Sequence, residues 1–156
     1  MRRILLLVLL ASSAGCAIFP IQYKEPLAGS VASIRFKNES IQPVTTYVFE
    51  TSHACTGRRK VGELAPQAEI TRKVPADADL TFQYFLDRKG TNQYCLVNLR
   101  FSPKGEGQYV FSAVDDPLFC RWIMVDVTDP ARPAKVSLQK LERGKAWDEN
   151  SAWCRE

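Results

Sequence analysis

The chain has 156 residues, of which 46% are hydrophobic and 24% charged, and its formal net charge is +4 at pH 7. That length supports one domain with a real core. The charge is too mild to point to nucleic acid as a partner, and its cations fall in short clusters, Arg58-Arg59-Lys60, Arg72-Lys73 and Arg88-Lys89, that read as solvated loop charge.

The N-terminus carries the strongest signal. Arg2 and Arg3 precede an apolar run, Ile4 to Ala11, and small residues follow. The run is too short to span a bilayer, which takes about 20 apolar residues. A basic start, a short apolar centre and small residues together make a secretory signal peptide. Ser13-Ala14-Gly15-Cys16 resembles the lipobox of bacterial lipoprotein precursors; Ala14-Gly15-Cys16 fits the pattern, while Ser13 stands where leucine is usual. The resemblance implies cleavage before Cys16, a lipid on its sulfur and an acylated amino group. It also implies the outer membrane, because Ala17 is not the aspartate that marks retention in the inner one. Three acyl chains make a stable anchor where one would not, each buried CH₂ adding about 0.8 kcal/mol.

The expected organisation is residues 1–15 as signal peptide, 16–30 as lipidated cysteine and tether, and 31–156 as the folded domain. Loss of residues 1–15 removes two arginines and no acid, lowering the net charge from +4 to +2. Pro20, Pro26 and Gly29-Ser30 discourage regular structure in the tether. Extended, it would reach about 45 Å, but Ile18, Phe19, Ile21 and Tyr23 should seek the domain or the lipid surface and keep the two close.

From Val31 the pattern becomes short alternating runs. Ala32, Ile34 and Phe36 share one face. PVTTYVFE is rich in β-branched and aromatic residues. Ile70, Arg72 and Val74 alternate, as do Leu80, Phe82, Tyr84 and Leu86. Cys95, Val97, Leu99 and Phe101 lie opposite Asn98 and Arg100; Tyr109, Phe111 and Ala113 follow, then FCRWIMVDV and AKVSLQKL. Period-two alternation in such residues is the strand signal. Turn residues separate the runs at 87–90, 102–107 and 115–117, with prolines in the other connections. The pattern predicts an all-β fold: a single antiparallel β-sandwich of seven or eight strands, with a short C-terminal tail, Leu141 to Arg155, as the one place for a helical turn or a short helix. Phe101-Ser-Pro-Lys-Gly-Glu-Gly-Gln-Tyr109 resembles the Phe-x-Pro…Gly…Tyr turn of transthyretin-like and carboxypeptidase-regulatory-like β-sandwiches. The likeness covers nine residues and implies architecture only.

With Cys16 assigned to lipid, Cys55, Cys95, Cys120 and Cys154 remain, an even count that predicts two disulfides in an exported chain. If strands 94–101, 108–114 and 119–127 form a meander, Cys95 and Cys120 flank its middle strand at about 9.5 Å. That exceeds the roughly 7 Å a disulfide tolerates. Two pairings remain; Cys55–Cys95 with Cys120–Cys154 is preferred, because the second bridge would pin the tail and lay Trp147 and Trp153 over an open face.

No spacing is Cys-x-x-Cys, and His53 is the sole histidine, so no metal or other cofactor is expected. No Gly-x-Ser-x-Gly elbow or phosphate loop occurs. The carboxylate pairs Asp77/Asp79, Asp115/Asp116 and Asp148/Glu149 fall in turn-like sequence. Asn38-Glu-Ser40 matches a glycosylation sequon but reads as a turn after the first strand. The expectation is therefore a non-enzymatic, lipid-anchored outer-membrane protein facing the periplasm. Its role would be binding or scaffolding, with an envelope protein or an anionic glycan such as lipopolysaccharide or peptidoglycan as partner. An inhibitor of a cell-wall hydrolase, working through loop 87–90 or 102–107, is the first alternative, and a carboxylate-dependent wall hydrolase the second.

Overall fold

The computed structural model describes residues 20–88, 90, 93–115 and 120–155. Residues 1–15, expected as signal peptide, and Cys16, Lys89, Asp116 and Pro117 lie outside the described residues. Eleven strands form two packed sheets, with no helix among the described residues. They are β1 (Val31–Asn38), β2 (Val44–Thr51), β3 (Thr56–Leu64), β4 (Glu69–Pro75), β5 (Leu80–Arg88), β6 (Gln93–Phe101), β7 (Gln108–Asp115), β8 (Cys120–Asp126), β9 (Ala134–Lys135), β10 (Gln139–Arg143) and β11 (Cys154–Arg155).

The first sheet runs β4-β1-β7-β8-β9 and the second β11-β10-β6-β5-β2-β3. All pairings between strands are antiparallel except β1 with β7. Alternation dictates the core, since only every second residue can face it. Ala32, Ile34 and Phe36 of β1 and Phe111 of β7 meet Phe82, Tyr84 and Leu99 of the second sheet. Phe82 and Phe111 pack edge-on across the interface with centroids 4.9 Å apart, and Phe36 lies edge-on to both, the geometry that aromatic quadrupoles favour.

Three expectations need correction. The disulfides are Cys55–Cys154 and Cys95–Cys120, not Cys55–Cys95 and Cys120–Cys154. The meander fails at its first turn: residues 102–107 carry the chain from β6 in one sheet to β7 in the other, so β6 and β7 never pair. Cys95 and Cys120 then face each other across the sandwich with Cα atoms 5.6 Å apart, well inside the ~10 Å typical of stacked sheets, so the sheets pinch together there. Next, Arg58-Arg59-Lys60 is no loop cluster but the middle of β3, and Arg72-Lys73 lies in β4. Finally, AKVSLQKL is two strands: β9 closes the first sheet, residues 136–138 cross over, and β10 joins the second sheet.

The crossover at 102–107 is tightly tied. The Tyr109 hydroxyl accepts from the Lys104 amide at 3.0 Å, the back-bond of a tyrosine corner. Asp77 accepts from the Gly105 amide at 3.1 Å, and Ser102 donates to Asp79 at 2.5 Å. A Cβ on Gly107 would lie 2.6 Å from the Tyr109 hydroxyl and 2.8 Å from the Lys104 carbonyl, so only glycine fits.

Asn38 is buried and satisfied. Its amide donates to the carbonyls of Gln42, Leu64 and Ala65, and its oxygen accepts from Ser40. The sequon side chain thus holds the β1–β2 turn against the end of β3, out of reach of solvent.

Candidate functional site

The inner faces of the two sheets bury each other, but the outer face of the second sheet has its own cover. The tail folds back across it, and Phe49, Cys55, Trp153 and Cys154 form a second buried cluster there. The Cys55–Cys154 bridge fastens the tail to the β2–β3 turn, so a disulfide does pin the tail, through a different partner than expected. Trp153 is buried at 8% exposure, whereas Trp147 stands out at 91% and covers nothing.

Arg58 organises this cover. Its guanidinium grips the Glu149 carboxylate through Nε at 2.5 Å and Nη2 at 2.9 Å, and Nη1 donates to Gln83 at 3.0 Å. It lies 4.2 Å from the Tyr47 ring and 3.7 Å from that of Trp153. Gln83 passes the chain of bonds to Asn98, which donates to the Trp153 carbonyl at 2.9 Å. The planar fork suits a bidentate carboxylate and stacking on aromatic faces, which a lysine could not supply. Because Glu149 fills this grip, the Asp148/Glu149 pair is structural.

Beside the tail the second sheet leaves an open cleft of about 620 Å³, lined by His53, Arg100, Gln139, Lys140, Glu142 and Arg155 among others. Arg100 is held by neutral acceptors: Nε and Nη2 donate to the side-chain Oε1 of Gln139 at 3.2 and 2.9 Å, and Nη1 meets His53 Nδ1 at 3.0 Å. Since arginine only donates, Nδ1 must accept, which puts the His53 proton on Nε2. Arg100 and Arg155 form no ion pair among the described residues, and Glu142 is the carboxylate of the lining; Lys140, the register partner of Leu99, turns its ammonium away, over the Trp122 ring of the first sheet at 5.9 Å. A shallower groove of about 330 Å³ continues along Arg100 and Gln139 to Asp79, Ser102 and Ser137. The pair forms a polar trough in which the Arg100 guanidinium meets only neutral acceptors, which suits an anionic or polyhydroxyl ligand.

The other sequence candidates fall elsewhere. The Asp77 carboxyl is lowered from its ordinary value by the hydroxyl of Ser30 and the amide of Gly105, and that of Asp148 by Ser151 and Asn150. Depressed carboxyls are poor general acids. Ser52, next to His53, donates to the Asp79 carbonyl rather than to the imidazole. Among the described residues no three His, Cys, Asp or Glu side chains converge as a metal site. Loop 102–107 is fastened down, and loop 87–90 lies partly outside the described residues. Sequence reasoning missed Arg58 and the His53–Arg100 contact, which joins residues 47 positions apart. Only Arg100, placed on the face opposite Val97 and Leu99, carried a signal.

Fold and site together define a class: a disulfide-stapled β-sandwich with a strapped outer face and an adjacent cationic trough. No protein-family model, no curated protein and no solved structure matches this chain.

Proposed function

We propose that this chain is a lipid-anchored, periplasm-facing protein of the bacterial outer membrane with a binding or scaffolding role and no catalytic one. The observation that carries the binding reading is the Arg100 trough: a guanidinium preoriented by Gln139 and His53, with Arg155 and exposed amide and hydroxyl groups beside it. Such a surface suits an anionic envelope glycan or an acidic segment of an envelope protein. The envelope address rests on the lipobox resemblance at Cys16. It is supported by the pairing of the other four cysteines, which belongs in an oxidising compartment. The lipid confines the trough near the membrane and raises its effective concentration against partners there.

The test is affinity capture of the full lipidated chain from solubilised membranes, with Arg100→Gln as control. Recovery of a stable envelope component that the variant fails to hold is the expected result. Capture of a secreted wall hydrolase instead would favour the inhibitor reading, and turnover of wall polymer by the purified chain would overturn the non-enzymatic one.

A further inference from the structure

The segment preceding β1 does not hang free. Tyr23 donates its amide to the Lys60 carbonyl, and the Lys60 amide donates to the Ile21 carbonyl, both at 2.8 Å. The Tyr23 ring packs against the main core, and its hydroxyl donates to the Lys73 carbonyl at 2.9 Å. Burial, with the Glu25 carboxylate close by, pushes that hydroxyl up to about 12, so it remains a donor at all physiological pH. Residues 21–23 therefore bridge the edges of β3 and β4, closing one flank of the sandwich.

This fixes where the chain leaves the domain. Only five Cα–Cα steps separate Cys16 from Ile21, at most about 17 Å. Lipid on Cys16 would hold that flank at the bilayer. The flank also has the chemistry for it. Leu27 is fully exposed and Ile21 half exposed. Glu25, Glu50 and Glu63 are matched by Arg72, Arg59 and Lys60, while Lys24 and Lys73 form no ion pair among the described residues. Exposed apolar residues beside unpaired lysines suit an anionic phospholipid surface. Arg100 and Gln139 of the trough lie on β6 and β10, with His53 of the β2–β3 turn at its near end, and β6 is three strand spacings, roughly 14 Å, from β3.

We propose that the flank built from residues 20–27 and the edges of β3 and β4 rests on the phospholipid surface into which the Cys16 lipid inserts. The orientation leaves the β8–β10 side and the trough facing away from the bilayer. This deepens the lipid-anchor reading above and rests on it. The test reconstitutes the native lipidated protein in vesicles of phosphatidylethanolamine and phosphatidylglycerol. Its lysines are labelled with a water-soluble acylating reagent and compared with the soluble Cys16→Ser protein in the same buffer. Labelling of Lys24 and Lys73 should slow several-fold in vesicles, with Lys135 and Lys140 unchanged. A Gly/Ser insertion of about 20 residues after Ala17, spanning roughly 25 Å, should keep the lipid and abolish the protection. Intact mass separates the failures: a chain without acyl groups removes the anchor and this orientation together. An acylated chain whose Lys24 and Lys73 label as fast as in Cys16→Ser, or whose Lys135 and Lys140 are protected instead, overturns the orientation alone.

Discussion

The Arg58–Glu149 grip is where the strapped tail can be tested most sharply. Both side chains are largely buried, at 15% and 13% exposure, so removing either leaves the other's charge poorly solvated. Glu149→Leu strands a guanidinium between two rings, and Arg58→Met strands a carboxylate; each should cost about 3 kcal/mol, the low end for a broken buried pair. Changing both removes the stranded charge and leaves Gln83 short of one donor, for a total of about 2 to 3 kcal/mol. The two single losses would sum to about 6 kcal/mol, so the coupling should be about 3 to 4 kcal/mol, within the range measured for close charge pairs. Urea unfolding with both disulfides intact measures it. The bridge from Cys55 keeps the tail at hand, so the cycle isolates the grip rather than tail loss. Single effects that add to within about 0.5 kcal/mol in the double variant would refute the reasoning.

Other outcomes follow from the same geometry. A non-reduced digest should yield Cys55 joined to Cys154 and Cys95 joined to Cys120. In the chain-entropy model, with separations of 99 and 25 residues, removal of the first bridge by paired alanine substitution should cost more, about 4.7 against about 3.5 kcal/mol. Asn38→Asp would aim carboxylate oxygen at three carbonyls now served by an amide, and thermal unfolding should show a loss of about 3 kcal/mol or more. Gly107→Ala should cost about 1 to 3 kcal/mol through its clash with the Lys104 carbonyl, read from the denaturant midpoint. The folded-state pKa of Asp77 lies below its ordinary value of 3.8, so its contribution is complete above that value and is lost as pH falls through the lower folded value. Stability titrated downward from pH 5 should therefore fall below about pH 4, less steeply in Asp77→Asn.

Much of the fold could be read from alternation because burial acts residue by residue. Ala32-Ile34-Phe36, Leu80-Phe82-Tyr84-Leu86 and Cys95-Val97-Leu99-Phe101 each name a face before any partner is known. Partners are different. Whether the turn after Phe101 makes a hairpin or a crossover depends on the Tyr109–Lys104 and Asp77–Gly105 bonds, which join residues from separate elements, and the disulfide assignment failed with that choice. The strand TGRRKVGEL lacked a signal because its charges are absorbed by the tail and by Glu50 rather than by water. The trough was illegible for a similar reason: His53, Arg100 and Arg155 come from three distant stretches, the first two joined by pairing within the second sheet and the third added by the folded-back tail.

Residue 16 is proposed above as a lipid attachment point on a chain stationed at the cell envelope. Mass spectrometry of the N-terminal peptide from the protein purified out of its native membranes tests it directly. The expected peptide starts at Cys16 and carries fatty acyl groups, which are lost in Cys16→Ser. A peptide that retains residues 1–15 with an unmodified Cys16 thiol would contradict it.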